Sequence, residues 1–401
     1  MEEYLIYLTS IAIILLIGLF IALLSKKIKI SNILLLLVTG IILSKATYYG
    51  EKLFVFPTVF LTSLAILALV MIIFDASSRF KWKTIDIHTI KALKLAVIFL
   101  IINMFLLAIA TSFIFNIKDV FVVLIFSSVM VGTSPDVILS MLKQSKHKVV
   151  ELLRIESIIN TPLTVLLPFI ILDLMNTLNL DGIIFSKMLE QLKPFITQFV
   201  VGIGAGVLIG LILAKSMKKA YSETLSPLAL ITAALITYIL AENLGGNGVL
   251  AVTVMGLMFG NLYIKQQKEH LYSISNFFGN SLLILVFILV GIGISVPLTD
   301  YVFWIKAFIL FIIYLVIRYL AVEITMRNGC YNFKEKMFMT LNIPKGIAVA
   351  VVAFTLANST ADIPRLATIL NLIVAFMLFS LLVSTIVGKF DNWFLTKVEN
   401  G

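Results

Sequence analysis

Charged side chains are scarce in this sequence: Asp, Glu, Lys and Arg make up 13% of its 401 residues, about half the roughly 25% of a soluble domain. That scarcity excludes a string of ordinary soluble domains, which need a charged surface. Cysteine is scarcer still. The single Cys330 excludes a disulfide within the chain and a thiolate metal cluster. The three histidines, His88, His147 and His270, lie far apart in polar stretches, so no histidine metal site and no resident metal or cofactor is expected. A nucleophile with a neighbouring base is not found either, and the expectation is that the chain is no enzyme.

What the sequence has in excess is apolar matter. Hydrophobic residues make up 61% and the mean hydropathy is +1.10, so much of this surface must face lipid. A membrane helix needs roughly 20 mostly apolar residues. Thirteen segments meet that measure, near 4–25, 31–48, 53–74, 90–116, 119–142, 150–175, 195–216, 224–243, 247–264, 273–296, 301–325, 335–358 and 366–390. Connections are short, and residues 1–401 read as one transmembrane unit. Met1-Glu2-Glu3-Tyr4 lacks the basic region of a cleavable signal peptide, so the first span is expected to be retained.

The net charge of +10 would suggest nucleic acid in a polar protein. Here the basic residues sort by loop. Of the 31 Lys and Arg, 23 follow odd-numbered spans, Arg318 among them, and 7 follow even-numbered ones, with Lys345 inside the twelfth span. Lysine and arginine mark the cytoplasmic side. The N-terminus is therefore expected outside and the C-terminus in the cytoplasm, and no nucleic-acid partner is expected.

Two spans carry helix breakers in mid-membrane: Gly132-Thr133-Ser134-Pro135-Asp136 in the fifth and Asn342-Ile343-Pro344-Lys345-Gly346 in the twelfth. Irregular backbone at that depth is tolerated only where it is buried in protein or lines a wet cavity. The two spans run in opposite directions, the pattern of inverted repeats whose discontinuous helices meet at a midplane ion site. The sixth span adds Glu156 and Asn160 on one face, with Ser157 and Thr161 beside them. A carboxylate inside a membrane helix needs a partner. Lys345 reads as the only basic residue well inside a span, which predicts a Glu156–Lys345 ion pair. Asp136 can cap the second half of its broken helix or carry a proton; Asp75, closing the third span, can cap its helix or take part in transport. Gly202, Gly206 and Gly210, spaced by four, sit in an unbroken apolar helix and read as a close-packing face.

These residues resemble the monovalent cation/proton antiporters, especially sodium/proton exchangers of the NhaP type. The resemblance rests on Ala241-Glu242-Asn243-Leu244-Gly245-Gly246-Asn247-Gly248 continuing to Gly260-Asn261, on Glu156-Ser157-Ile158-Ile159-Asn160, on Phe333-Lys334-Glu335-Lys336 through Pro344-Lys345-Gly346, and on Phe74-Asp75. It implies a thirteen-helix homodimer, with core helices at about 90–175 and 301–390 and dimerisation helices at about 4–74 and 195–296. It also implies antiport of Na+ or K+ against H+ by alternating access in the cell membrane. Glu156 and Lys345 then look like the core ion pair, with Asn160 beside it, and Thr133, Ser157 and Thr161 fall at cation-site positions. Two family carboxylates are replaced here: Asn160-Thr161 stands where the pattern has Asn-Asp, and Thr133-Ser134-Pro135 where it has Thr-Asp-Pro. Hydroxyls ligate a hard cation but do not carry a proton near neutral pH, so the proton falls to Asp136 first, then Asp75 or Glu156. The rival readings are a channel-like cation pathway and a non-transporting sensor or scaffold on the same fold.

Overall fold

The computed structural model describes residues 3–28, 30–48, 51–78, 80, 87–134, 147–181, 185–219, 222, 225–262, 268–294, 296–327, 331–357 and 363–395. The architecture is helical, apart from a two-stranded antiparallel ribbon pairing Thr47 with Lys52. In chain order the helices are α1 (Glu3–Ile28), α2 (Asn32–Leu43), α3 (Thr58–Ser78), α4 (Ile87–Phe115) and α5 (Val120–Val129). Next come α6 (Lys148–Asp181), α7 (Phe185–Lys219), α8 (Leu225–Asn243), α9 (Gly248–Leu262) and α10 (Lys268–Gly293). The chain ends with α11 (Tyr301–Met326), α12 (Phe333–Leu341), α13 (Ile347–Ala357), α14 (Leu366–Lys389) and the single turn α15 (Asp391–Phe394).

Among the described residues, eight helices are long and apolar enough to cross a membrane, and five shorter apolar helices accompany them. Their outward faces are oily: Phe113 is 83% exposed and Leu16 70%. Such faces suit lipid and would be a liability in water. Polar groups point the other way, as bilayer-spanning backbone and side chains require. Asn103, Thr111, Ser127, Asn160, Thr164 and Asn342 are all fully buried.

The helices associate in two sets. In one, α5 packs between α4 and α6, and α11 lies against α4. In the other, α9 lies against α7, α8 and α3, while α10 lies against α2 and α3. Helix α13 touches both sets, packing on α3 and α6. The α7–α9 contact confirms the packing role of the glycine run. A Cβ at Gly206 would run into the Ala251 carbonyl, and one at Gly202 would come within 2.9 Å of the Asn247 carbonyl. Gly204, on the other face, meets nothing within 4 Å.

The backbone is irregular at 342–346 and, as far as residue 134, in the stretch that follows α5. Helix α5 starts on an Asp119 cap, whose Oδ1 accepts from the Phe121 and Val122 N–H groups at 2.9 and 3.3 Å. It ends at Val129, and residues 132–134 are non-helical. Helices α12 and α13 are separated by the non-helical stretch 342–346, which holds Pro344 and so lacks one backbone donor. The two irregular stretches touch: the Ser134 N–H donates to the Pro344 carbonyl at 2.9 Å.

Candidate ion site

At that crossing a narrow cleft of about 10 Å³ opens, lined by Gly132, Thr133, Ser134, Thr161 and Gly346. Its remaining wall is apolar and includes Ile72 and Ile73 of α3. Three of the residues singled out in the sequence thus share one space. Thr133 and Ser134 come from the stretch after α5, and Thr161 from one turn beyond Glu156 in α6. The chain needs glycine at 346 here, because a Cβ would overlap the Ser134 side chain.

Local hydrogen bonds fix these side chains. Thr161 Oγ1 donates to the Ser157 carbonyl at 2.7 Å, which leaves its lone pairs free to accept. The Ser157 hydroxyl donates to the Arg154 carbonyl at 2.7 Å, so Ser157 serves its own helix and does not line the cleft. Thr133 Oγ1, nearly fully buried, has no hydrogen-bond partner among the described residues, and neither does Asn160 Oδ1. Buried oxygens without partners are uncommon.

The predicted Glu156–Lys345 pair does not form. Glu156 is held instead by Arg318, whose Nη1 and Nη2 donate to the two carboxylate oxygens at 2.5 and 2.7 Å. Both side chains are essentially unexposed. The guanidinium also stacks on the Phe99 ring, 4.6 Å from its centroid, and Nε reaches the Met339 carbonyl at 3.4 Å. Asn160 Nδ2 donates to Glu156 Oε1 at 3.3 Å. A planar fork matches a carboxylate better than an ammonium does. Sorting the basic residues by loop puts Arg318 on the cytoplasmic side. It lies eight residues inside the end of α11, about 12 Å at 1.5 Å per residue. The missed signal is spacing: Tyr314 and Arg318 are four apart and share one face of α11.

Lys345 goes elsewhere. Its Nζ donates to the Met130 carbonyl at 2.6 Å, the Gly132 carbonyl at 2.7 Å and the Tyr314 hydroxyl at 2.6 Å. Tyr314 in turn donates to the Met130 carbonyl at 3.1 Å. Ser380 Oγ accepts from the Lys345 backbone N–H at 3.1 Å. The remaining sequence candidates sit apart. Asp75 is half-buried on the last turn of α3, one turn beyond the Ile72 and Ile73 that wall the cleft. Asp136 lies outside the described residues.

A model of the family described as "Sodium/hydrogen exchanger, transmembrane" matches residues 11–390. The chain belongs to this family. The exchanger is 24% identical over 352 residues to the probable Na(+)/H(+) antiporter 2 of Methanocaldococcus jannaschii, covering 84% of this chain and 81% of that one. It is 26% identical to the K(+)/H(+) antiporter NhaP2 of Shewanella sp. (strain MR-4) over 59% of this chain and 41% of that one. In fold it is similar to the sodium proton antiporter MjNhaP1 from M. jannaschii at pH 8, with a TM-score of 0.81 and 20% identity, each chain covered in full. Membership places the exchanger among transporters, not enzymes.

Proposed function

We propose that the exchanger carries out antiport of Na+ or K+ against H+ by alternating access, with the cation held in the cleft of Thr133, Ser134 and Thr161. The observation that carries this reading is that hydroxyl-bearing residues from two separate helical regions line one buried cleft beside the non-helical stretches 132–134 and 342–346. Oxygen-rich sites of this kind suit hard cations, and helix interruptions supply free backbone carbonyls to them. The sequence-based proposal for Asp136, two residues after Ser134 in the chain, stands beside this: its carboxylate serves the ion or proton. Asp75 has the lesser claim, at the cytoplasmic end of α3. Glu156 is excluded from free exchange by the Arg318 fork.

The remaining architecture is proposed with it: thirteen spans in inverted repeats, with the fifth and twelfth discontinuous, in the cell membrane, N-terminus outside. Core helices over about 90–175 and 301–390 would move against dimerisation helices over about 4–74 and 195–296 of a homodimer. The separate packing of α4–α6 with α11 from α7–α9 with α3 supports that division, and the cleft lies where α13 bridges the two sets. The test is a set of proteoliposomes carrying an internal pH dye, given Na+ and K+ pulses separately. Cation-driven alkalinisation or acidification is expected. Cation flux without a pH change would instead mean a channel-like pathway, and cation binding without flux a sensor or scaffold.

A further inference from the structure

We propose that the groove between α12 and α14 holds an acyl chain of an anionic glycerophospholipid, whose phosphate is bound by Lys334 and Lys389. The groove shares no lining residue with the candidate ion cleft, and the proposal stands whether or not the antiport reading does.

The groove encloses about 520 Å³, within the roughly 300–1,000 Å³ of small-molecule sites. Leu341 of α12 forms one wall, Val383, Ile386 and Val387 of α14 the other, and Phe390 and Trp393 close the end. Val383, Ile386, Val387 and Phe390 follow the three- and four-residue spacing of one helix stripe. From Val383 to Phe390 the chain rises about 10 Å at 1.5 Å per residue, against the roughly 15 Å of hydrocarbon in one leaflet. Apart from the Trp393 indole, these side chains offer no hydrogen-bonding group. The part of a ligand that enters the groove is therefore hydrocarbon.

The end of the groove has a different character. Phe390 and Trp393 are each 60% exposed. Phe333, at the start of α12, is also exposed and meets the Tyr319 ring of α11 edge-on at 6.5 Å. Aromatic side chains gathered at one level in this way mark the boundary between hydrocarbon and water. Under the topology proposed above, that boundary belongs to the cytoplasmic leaflet. Lys334 Nζ lies 4.5 Å from the centroid of the Trp393 ring, and Lys389 ends α14 between the lining residues Val387 and Phe390. The nearby carboxylates are engaged elsewhere. Glu323 accepts from Lys336 Nζ at 2.9 and 3.0 Å, and Asp391 accepts from the Asn392 N–H at 2.7 Å. Among the described residues neither Lys334 nor Lys389 has a carboxylate within ion-pair distance. An ammonium at this level attracts an anionic headgroup, whereas a zwitterionic headgroup brings a cation of its own. A chain seated here would also bridge α12 and α14, which are already joined beside the second interruption by the Lys345 N–H bond to Ser380 Oγ.

The test uses full-length protein in mild detergent, titrated with dioleoyl phosphatidylglycerol or with dioleoyl phosphatidylcholine, which carries the same chains. Binding is read as thermal stabilisation and as lipid adducts in native mass spectrometry. For the wild type, half-maximal stabilisation is expected at a phosphatidylglycerol concentration at least about tenfold below that of phosphatidylcholine, from two lysines at the membrane surface. Lys334→Gln with Lys389→Gln alters only exposed side chains and is expected to bring the two lipids together. Ile386→Trp, which fills the groove, is expected to remove the adduct and the stabilisation by either lipid. Equal response to both lipids in the wild type, or a preference that survives the double lysine variant, would overturn the proposal. So would an adduct that persists in Ile386→Trp, the result expected if residues 396–401 or a second copy of the chain cover the groove. Stabilisation by glycerol phosphate alone, equal to that by the lipid, would leave the groove no role and overturn it as well.

Discussion

The Glu156–Arg318 pair invites the sharpest test of the buried architecture. Replacing Arg318 by Met keeps much of the side-chain volume in α11 and removes the fork. Glu156, which is 1% exposed, would then keep one weak neutral donor, Asn160 Nδ2 at 3.3 Å. Breaking a buried pair by deleting one partner destabilises by about 3–5 kcal/mol, because the surviving charge is uncompensated. That is roughly two to nearly four decades in the unfolding equilibrium. The double variant Glu156→Gln with Arg318→Met removes both charges and is expected to recover most of the loss. Unfolding in mixed detergent micelles, followed by intrinsic fluorescence, gives all four corners of the cycle. Arg318→Met within about 1 kcal/mol of the wild type, or a double variant whose loss is the sum of the two singles, would refute the reasoning. The same cycle built on Glu156 and Lys345 is expected to show much weaker coupling, since no direct bond joins them.

Three further outcomes follow from particular contacts. Tyr314→Phe deletes one acceptor of the Lys345 ammonium and one donor to Met130, and is expected to destabilise by about 1–3 kcal/mol, measured in the same micelles. Gly346→Ala places a methyl group against the Ser134 side chain and should abolish stabilisation by Na+ or K+ in a thermal shift assay while the protein still elutes as a single species. Gly206→Ala drives a methyl group into the Ala251 carbonyl across the α7–α9 contact. It is expected to destabilise by about 1–3 kcal/mol, whereas Gly204→Ala, with open space around it, should leave the unfolding midpoint unchanged.

Much of the site was legible in the residues. The breaker at 342–346 declared where α12 stops and α13 begins, because proline and glycine act on their own backbone. Thr133, Ser134 and Thr161 could be placed near one another because each lies at a fixed offset from a breaker or from Glu156. Ser157 enters by its proximity to Glu156 along the chain, and Asp75 as the residue that closes the third span. Only the structure shows that the Ser157 hydroxyl folds back onto Arg154, a choice between local acceptors that no spacing reveals.

The sequence by itself determined that this chain lives in a membrane, roughly where it crosses, and where its helices break. Those are local properties: apolar length against bilayer thickness, and backbone chemistry at single residues. The tertiary structure alone decided who holds Glu156. Arg318 is 162 positions away, on a helix whose register against α4 is set by packing. Charge bookkeeping along the chain assigned that arginine to the cytoplasm and gave its place to Lys345. In the folded molecule the fork takes the carboxylate, and the ammonium takes the carbonyls freed where α5 ends. An ion pair is a statement about three-dimensional neighbours, so a list of charges names its candidates while the packing of helices chooses among them.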